Sequence, residues 1–105
     1  MAEINPMHDW KSEKDFMQTV KKLAEGLGWL YYHTYNSRHS DKGYPDCHFV
    51  RDGRQVFAEL KFHKGKKGEP TIYQQLWLDE LSKVPGNEVF VWHPKDWEII
   101  CDILR

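Results

Sequence analysis

The dipeptide Asp52-Gly53, set between CHFVR and RQVFAEL, restricts this chain more than any other feature. Between two strand-like runs it predicts a two-residue hairpin turn, whose backbone Asp-Gly adopts readily. Such a turn sets Arg51 opposite Arg54, so that directly paired positions sum to 105. His48 then faces Phe57, Val50 faces Gln55, and Asp46 faces Glu59. Side chains alternate along a strand, so Asp46, Glu59 and Lys61 are expected on one face, with Val56, Ala58 and Leu60 on the other.

Two carboxylates directly opposite each other destabilise a sheet by roughly 0.2–1 kcal/mol. A bound divalent cation reverses that sign, and oxygen-only ligands favour a hard ion, Mg²⁺ or Mn²⁺, over zinc. Lys61, one pleat beyond Glu59, would then reach a water or phosphate at the ion. A plainer reading makes Asp46 a turn residue after Pro45, and Glu59 and Lys61 a solvated strand face. That face also carries Phe57 and Val50, so it is not simply polar, while a bulge would shift the register and undo the pairing.

The remaining elements are placed by periodicity and punctuation. Residues 1–10 read as irregular. Ser12 and Asp15 form an S-x-x-D capping box, and Phe16, Met17, Val20, Leu23, Ala24 and Leu27 recur at helical spacing up to Gly28. WLYYHTY, residues 29–35, reads as a strand and NSRHSDKG as a loop. Thr71 opens a second helix with Ile72, Leu76, Trp77, Leu78, Leu81 and Val84 as its apolar face, ended by Pro85-Gly86. EVFVW is a short strand, and Pro94 starts a last helix carrying Trp97, Ile100, Cys101 and Leu104. The order α-β-β-β-α-β-α predicts an α/β fold with a mixed central sheet flanked by helices.

Two helical residues approach the hairpin acids in this scheme. Glu13 lies in line with Met17, Val20 and Ala24, on the inward stripe of helix one, although an acid in a first turn also suits the helix dipole. Gln74 closes a T-x-x-Q capping box with Thr71, yet also falls on the Trp77, Leu78 and Leu81 side.

A length of 105 residues suits one domain, spanning 1–105. The sequence lacks an apolar run of membrane length, and MAEINPMHDW has no signal-peptide features, so an intracellular, cytoplasmic protein without a membrane partner is expected. Cys47 and Cys101 are too few for a disulfide framework and fit no zinc spacing. A net charge of −1 argues against binding of nucleic acid by bulk charge alone. The distribution is uneven: residues 1–68 hold 12 Lys/Arg against 9 Asp/Glu, and residues 69–105 hold 3 against 7. The loop KFHKGKKGE concentrates Lys64, Lys66 and Lys67 beyond Lys61; it reads either as a phosphate-binding loop or as a flexible solvated connection.

Pro45-Asp46 followed by Glu59-Leu60-Lys61 resembles the PD-(D/E)xK nuclease signature. With Glu13, Gly43-Tyr44-Pro45-Asp46 and Thr71-x-x-Gln74 in order, residues 13–104 are similar to the VRR-NUC (virus-type replication-repair nuclease) branch, and VWHPKDWEII is similar to small phage-borne members. The resemblance implies a restriction-endonuclease-like core and a Mg²⁺- or Mn²⁺-dependent DNA endonuclease, working by in-line attack of metal-activated water. It implies that Asp46, Glu59 and the Leu60 backbone carbonyl ligate the metal, with Glu13 acting through water or a second metal. Lys61 would orient or help deprotonate the attacking water, and Gln74 would hold that water or Lys61. It further implies a homodimer able to cut branched DNA such as four-way junctions, in the host cytoplasm if the gene is phage-borne. No segment marks a replication or repair partner. HKGKKGE departs from the family pattern. Arg38 and Lys42, in the loop before Asp46, are expected DNA contacts.

The alternatives are a noncatalytic nucleic-acid-binding module that keeps the fold, and a subunit-interaction protein whose acids merely bind a cation. Intact Asp46, Glu59 and Lys61 favour the enzyme.

Overall fold

The chain reverses at Asp52-Gly53 with φ of 49° and 78°, the two positive values that a type I′ hairpin turn needs. It joins β2 (Cys47–Arg51) to β3 (Arg54–Leu60) in the expected register, with Arg51 opposite Arg54, Val50 opposite Gln55 and His48 opposite Phe57. This computed structural model describes residues 10–35 and 41–105. The other elements are α1 (Glu13–Gly26), β1 (Leu30–His33), α2 (Ile72–Ser82), β4 (Asn87–Trp92) and α3 (Trp97–Leu104), with short 3-10 turns at Gly65–Gly68 and Pro94–Asp96. The strands form one mixed sheet in the order β1-β2-β3-β4, antiparallel except for the β3–β4 pair.

Two arginines facing each other beside a tight turn would repel, but each is held by its own acceptors. Arg54 makes a two-pronged bond to Glu88 on β4, at 2.7 and 2.8 Å. Arg51 donates to the carbonyls of Leu27, Leu104 and Arg105. Both guanidinium groups also lie over the Trp29 ring, at 4.5 and 5.0 Å from its centre. Trp29 itself leaves the sheet and donates to the Leu104 carbonyl, so β1 is shorter than WLYYHTY suggested.

Alternation divides the sheet into two faces. Cys47, Phe49, Val56, Ala58, Leu60 and Trp92 close a buried core with Phe16, Val20 and Ala24 of α1 and Ile100 and Leu104 of α3. The opposite face carries Phe57, and α2 covers it through Tyr44, whose ring meets both Phe57 and Trp77 edge-on. Among the described residues no helix is long and apolar enough to cross a membrane.

Two helices differ from expectation. In α1 the Ser12 hydroxyl accepts from Asp15 N–H, but the Asp15 carboxylate accepts from Lys11 N–H rather than returning to Ser12. In α2 only Leu78 is fully buried, while Ile72 and Leu76 are exposed, as is Val84 beyond the helix end. Ile72 and Leu76, one turn apart, point away from the arc that holds Gln74, Trp77, Leu78 and Leu81, so the apolar residues never formed a single stripe.

Gly43 has φ of 95°, and a Cβ there would lie 2.5 Å from the Tyr73 carbonyl group and 2.9 Å from Gln74 N. The loop before Asp46 therefore rests directly on the backbone of the first turn of α2. Gly53, also at positive φ, has nothing within 4 Å of such a Cβ. Urea unfolding is expected to show Gly53→Ala costing about 1–2 kcal/mol through backbone strain alone, and Gly43→Ala costing clearly more. Equal costs would mean that the contact between Gly43 and α2 is not tight.

Candidate active site

Lys61 N–H donates to the Trp92 carbonyl of β4 at 2.9 Å, so the end of β3 is bonded outward there. One residue earlier the direction alternates, and Leu60 presents its N–H and C=O to the β2 side. β2 begins only at Cys47, and the acceptor that Leu60 N–H finds is a side chain: Asp46 Oδ2, at 2.9 Å. The Asp46 backbone is held in turn by β1. Its carbonyl accepts from Thr34 N–H at 2.9 Å and from His33 Nδ1 at 3.2 Å, while Thr34 Oγ1 donates to the Pro45 carbonyl. Asp46 is thus fixed at both ends, and the Leu60 carbonyl leaves the strand on its side.

Glu59 is only 2% exposed, and it is the one buried charged residue among those described. Its Oε2 accepts from Gln74 Nε2 at 2.8 Å and lies 3.7 Å from Lys61 Nζ. Its Oε1 is buried with no hydrogen-bond partner. Burial, then the neighbouring Asp46 charge, push the Glu59 carboxyl up to about 8, with Lys61 pulling it down. Carboxyl groups that meet without a donor between them hold either a proton or a cation. Glu59 Oε1, the Asp46 carboxylate and the Leu60 carbonyl are all-oxygen donors of the kind that could hold Mg²⁺ or Mn²⁺. Such ions commonly take one or two carboxylates and complete their shell with water and phosphate.

Gln74 reaches Glu59 because its amide is oriented from the other end. Oε1 accepts from Thr71 N–H at 2.8 Å and Thr71 Oγ1 accepts from Gln74 N–H, which completes the capping box. With the oxygen committed to the cap, Nε2 must face the carboxylate. Gln74 thus caps α2 and bonds Glu59 at once.

Other expected residues stand apart. Glu13 is exposed, not on an inward stripe, because the buried line of α1 runs Phe16–Val20–Ala24 and Glu13 is the first helical residue, a turn outside it. Among the described residues no three His, Cys, Asp or Glu side chains gather as a metal site. Lys42 is exposed, with Nζ 5.4 Å from the Tyr73 ring centre, and Lys64, Lys66 and Lys67 are exposed on the loop leaving Lys61. Arg38 lies outside the described residues. Cys47 is buried in the opposite face and its thiol is pushed up to about 12, mainly by burial, which leaves no thiolate for nucleophilic work. His48 stacks on Phe57 and bonds Gln55.

Comparisons with family models, with curated proteins and with solved structures found no match to this chain.

A carboxyl whose folded-state pKa is raised favours the native state while it keeps its proton. That contribution is complete below the ordinary 4.5 and is lost as pH rises to about 8. Relative to Glu59→Gln, the wild type in EDTA is therefore expected to lose roughly 2–4 kcal/mol of stability across that window, at about 1.4 kcal/mol per unit. Paired thermal melts would measure it, and a pH-independent difference would rule out Glu59 as the titrating group.

Proposed function

We propose that the chain is a divalent-metal-dependent DNA endonuclease with a restriction-endonuclease-like core, of the VRR-NUC type that its motifs resemble. The observation that carries this reading is the buried Glu59, with Oε1 unpartnered beside the Asp46 carboxylate and Lys61 within 3.7 Å of Oε2. A structural acid would be expected to find donors for both oxygens or to face water. The helix-flanked mixed sheet supports the same reading, with the acids on the face that α2 only partly covers.

In this proposal Asp46, Glu59 and the Leu60 carbonyl hold Mg²⁺ or Mn²⁺, which when bound supplies a Lewis acid for the phosphate and lowers the pKa of water. Gln74 fixes Glu59 by its Oε2 and leaves Oε1 free for that ion. Lys61 orients the attacking water and offsets charge developing on the phosphoryl oxygens. Lys42, Lys64, Lys66 and Lys67 contact the DNA backbone and position the scissile phosphate. No covalent nucleophile takes part. A homodimer would bring two such sites to branched DNA, where paired cuts resolve a four-way junction.

Cleavage is expected with Mn²⁺ or Mg²⁺ on a panel of labelled single-stranded, duplex, flap and four-way DNA, and not with EDTA. Asp46→Asn should abolish cutting while leaving DNA binding largely intact; cutting equal to wild type would sink the proposed site. A binding module without catalysis would bind the panel and cut none of it.

The cation can be tested apart from activity. Mg²⁺ or Mn²⁺ should raise the melting temperature of the wild type, and most of that gain should vanish in Glu59→Gln. A gain retained in full would place the ion elsewhere.

A further inference from the structure

The basic loop after Lys61 is held in place. It begins beside the ladder bond from Lys61 N–H to Trp92 and ends at Thr71, the cap of α2, so both its roots belong to residues around Glu59. Phe62 packs against the core, and Glu69 N–H closes the 3-10 turn on the Lys66 carbonyl. Gly68 is buried, and a Cβ there would collide with the His63 carbonyl and lie 3.5 Å from His93 Nε2. His93 Nε2 meets the Gly68 carbonyl at 2.8 Å; a carbonyl only accepts, so this nitrogen carries the hydrogen. His93 is braced from behind, its N–H donating to Asp96 Oδ2 at 2.9 Å and its Nδ1 lying 3.5 Å from the same oxygen. Among the described residues no carboxylate pairs with Lys64, Lys66 or Lys67, so this anchored turn displays three uncompensated cations.

We propose that His93 is a positioning residue for DNA binding: through the Gly68 carbonyl it fixes the Lys64–Lys66–Lys67 turn as a clamp on the phosphate backbone next to the site. The inference rests on the DNA-endonuclease reading above. A flexible loop would give up conformational freedom on meeting phosphates, whereas an anchored one has given it up already. His93 adds no phosphate contact of its own; its effect passes through the lysines.

Salt dependence separates positioning from general structural support. Each phosphate that the protein no longer neutralises takes about 0.9 off the slope of log K against log salt. Fluorescence anisotropy of a labelled duplex, titrated in EDTA across a salt series, would be run on four variants. They are Lys64→Ala/Lys66→Ala/Lys67→Ala together, His93→Ala, His93→Gln and Gly68→Ala. The triple variant should lower the slope by roughly 2–3. His93→Ala should lower it by at least about 1 and weaken binding about tenfold near 0.1 M salt, although no lysine is removed. His93→Gln, whose amide can donate to the same carbonyl, should restore most of both. Gly68→Ala disturbs the contact from the loop side and should match His93→Ala, which keeps the test usable if the latter folds poorly.

A wild-type slope in both His93→Ala and Gly68→Ala, with the triple variant reduced, would overturn the positioning role and leave the endonuclease reading standing. An unchanged slope in the triple variant would overturn the clamp itself. A wild type that neither binds nor cuts DNA would overturn the inference together with the reading beneath it.

Discussion

The bond from Leu60 N–H to the Asp46 carboxylate is the constraint on which the site depends. β3 runs beyond its antiparallel partner in order to stay paired with β4, and where β2 stops, one side chain takes over the work of a backbone acceptor. Leaving that N–H unbonded away from water would cost about 1–3 kcal/mol. The same bond holds Asp46 where a straight continuation of the hairpin would put it, beside Glu59. Since β1 grips the Asp46 carbonyl as well, the position of this acid is a property of three strands and not of a flexible loop.

That placement works against stability. Glu59 is removed from water, meets another carboxyl and lacks a donor for one oxygen, and each of these favours its neutral form. The opposite face offsets the burden. There α1 and α3 close over Phe49, Val56, Ala58 and Leu60, an arrangement with almost no polar content. Strand alternation lets β3 serve both tasks at once: Val56, Ala58 and Leu60 build the core while Phe57, Glu59 and the following Lys61 belong to the site face.

What was legible in the sequence follows the range of the forces involved. The hairpin register could be read because a two-residue turn is chemically local and leaves one pairing for all that follows. Helix α1 could be read because Phe16, Val20 and Ala24 share one face. Glu13 misled because helical periodicity runs on to the first residue of α1, where the side chain is exposed. The face of α2 misled for a related reason: Ile72 and Leu76 are apolar at helical spacing but nothing among the described residues covers them. His93 was not legible at all. Its partner is a backbone carbonyl of Gly68, and no residue type or spacing announces an acceptor that every residue carries. The buried Gly68 was a faint signal, since glycine inside a basic run is equally natural in a flexible loop.

Gln74 shows how little machinery is needed to couple a helix to a buried acid. A glutamine at the third helical position would ordinarily be explained in full by its capping box, and its Oε1 indeed satisfies Thr71 N–H. But an amide has two ends of opposite character. Fixing the oxygen at the helix start leaves the nitrogen with one direction to face, and Gly43 lets the Asp46 loop approach the same turn closely enough for Glu59 to lie there. Replacing Gln74 by Glu would keep a cap but put a third carboxylate against Glu59 in place of a donor. Replacing it by Ala would remove both bonds. The site therefore constrains α2 at its first turn far more than along its length, which is consistent with a helix that buries Leu78 completely and leaves Ile72 and Leu76 in water.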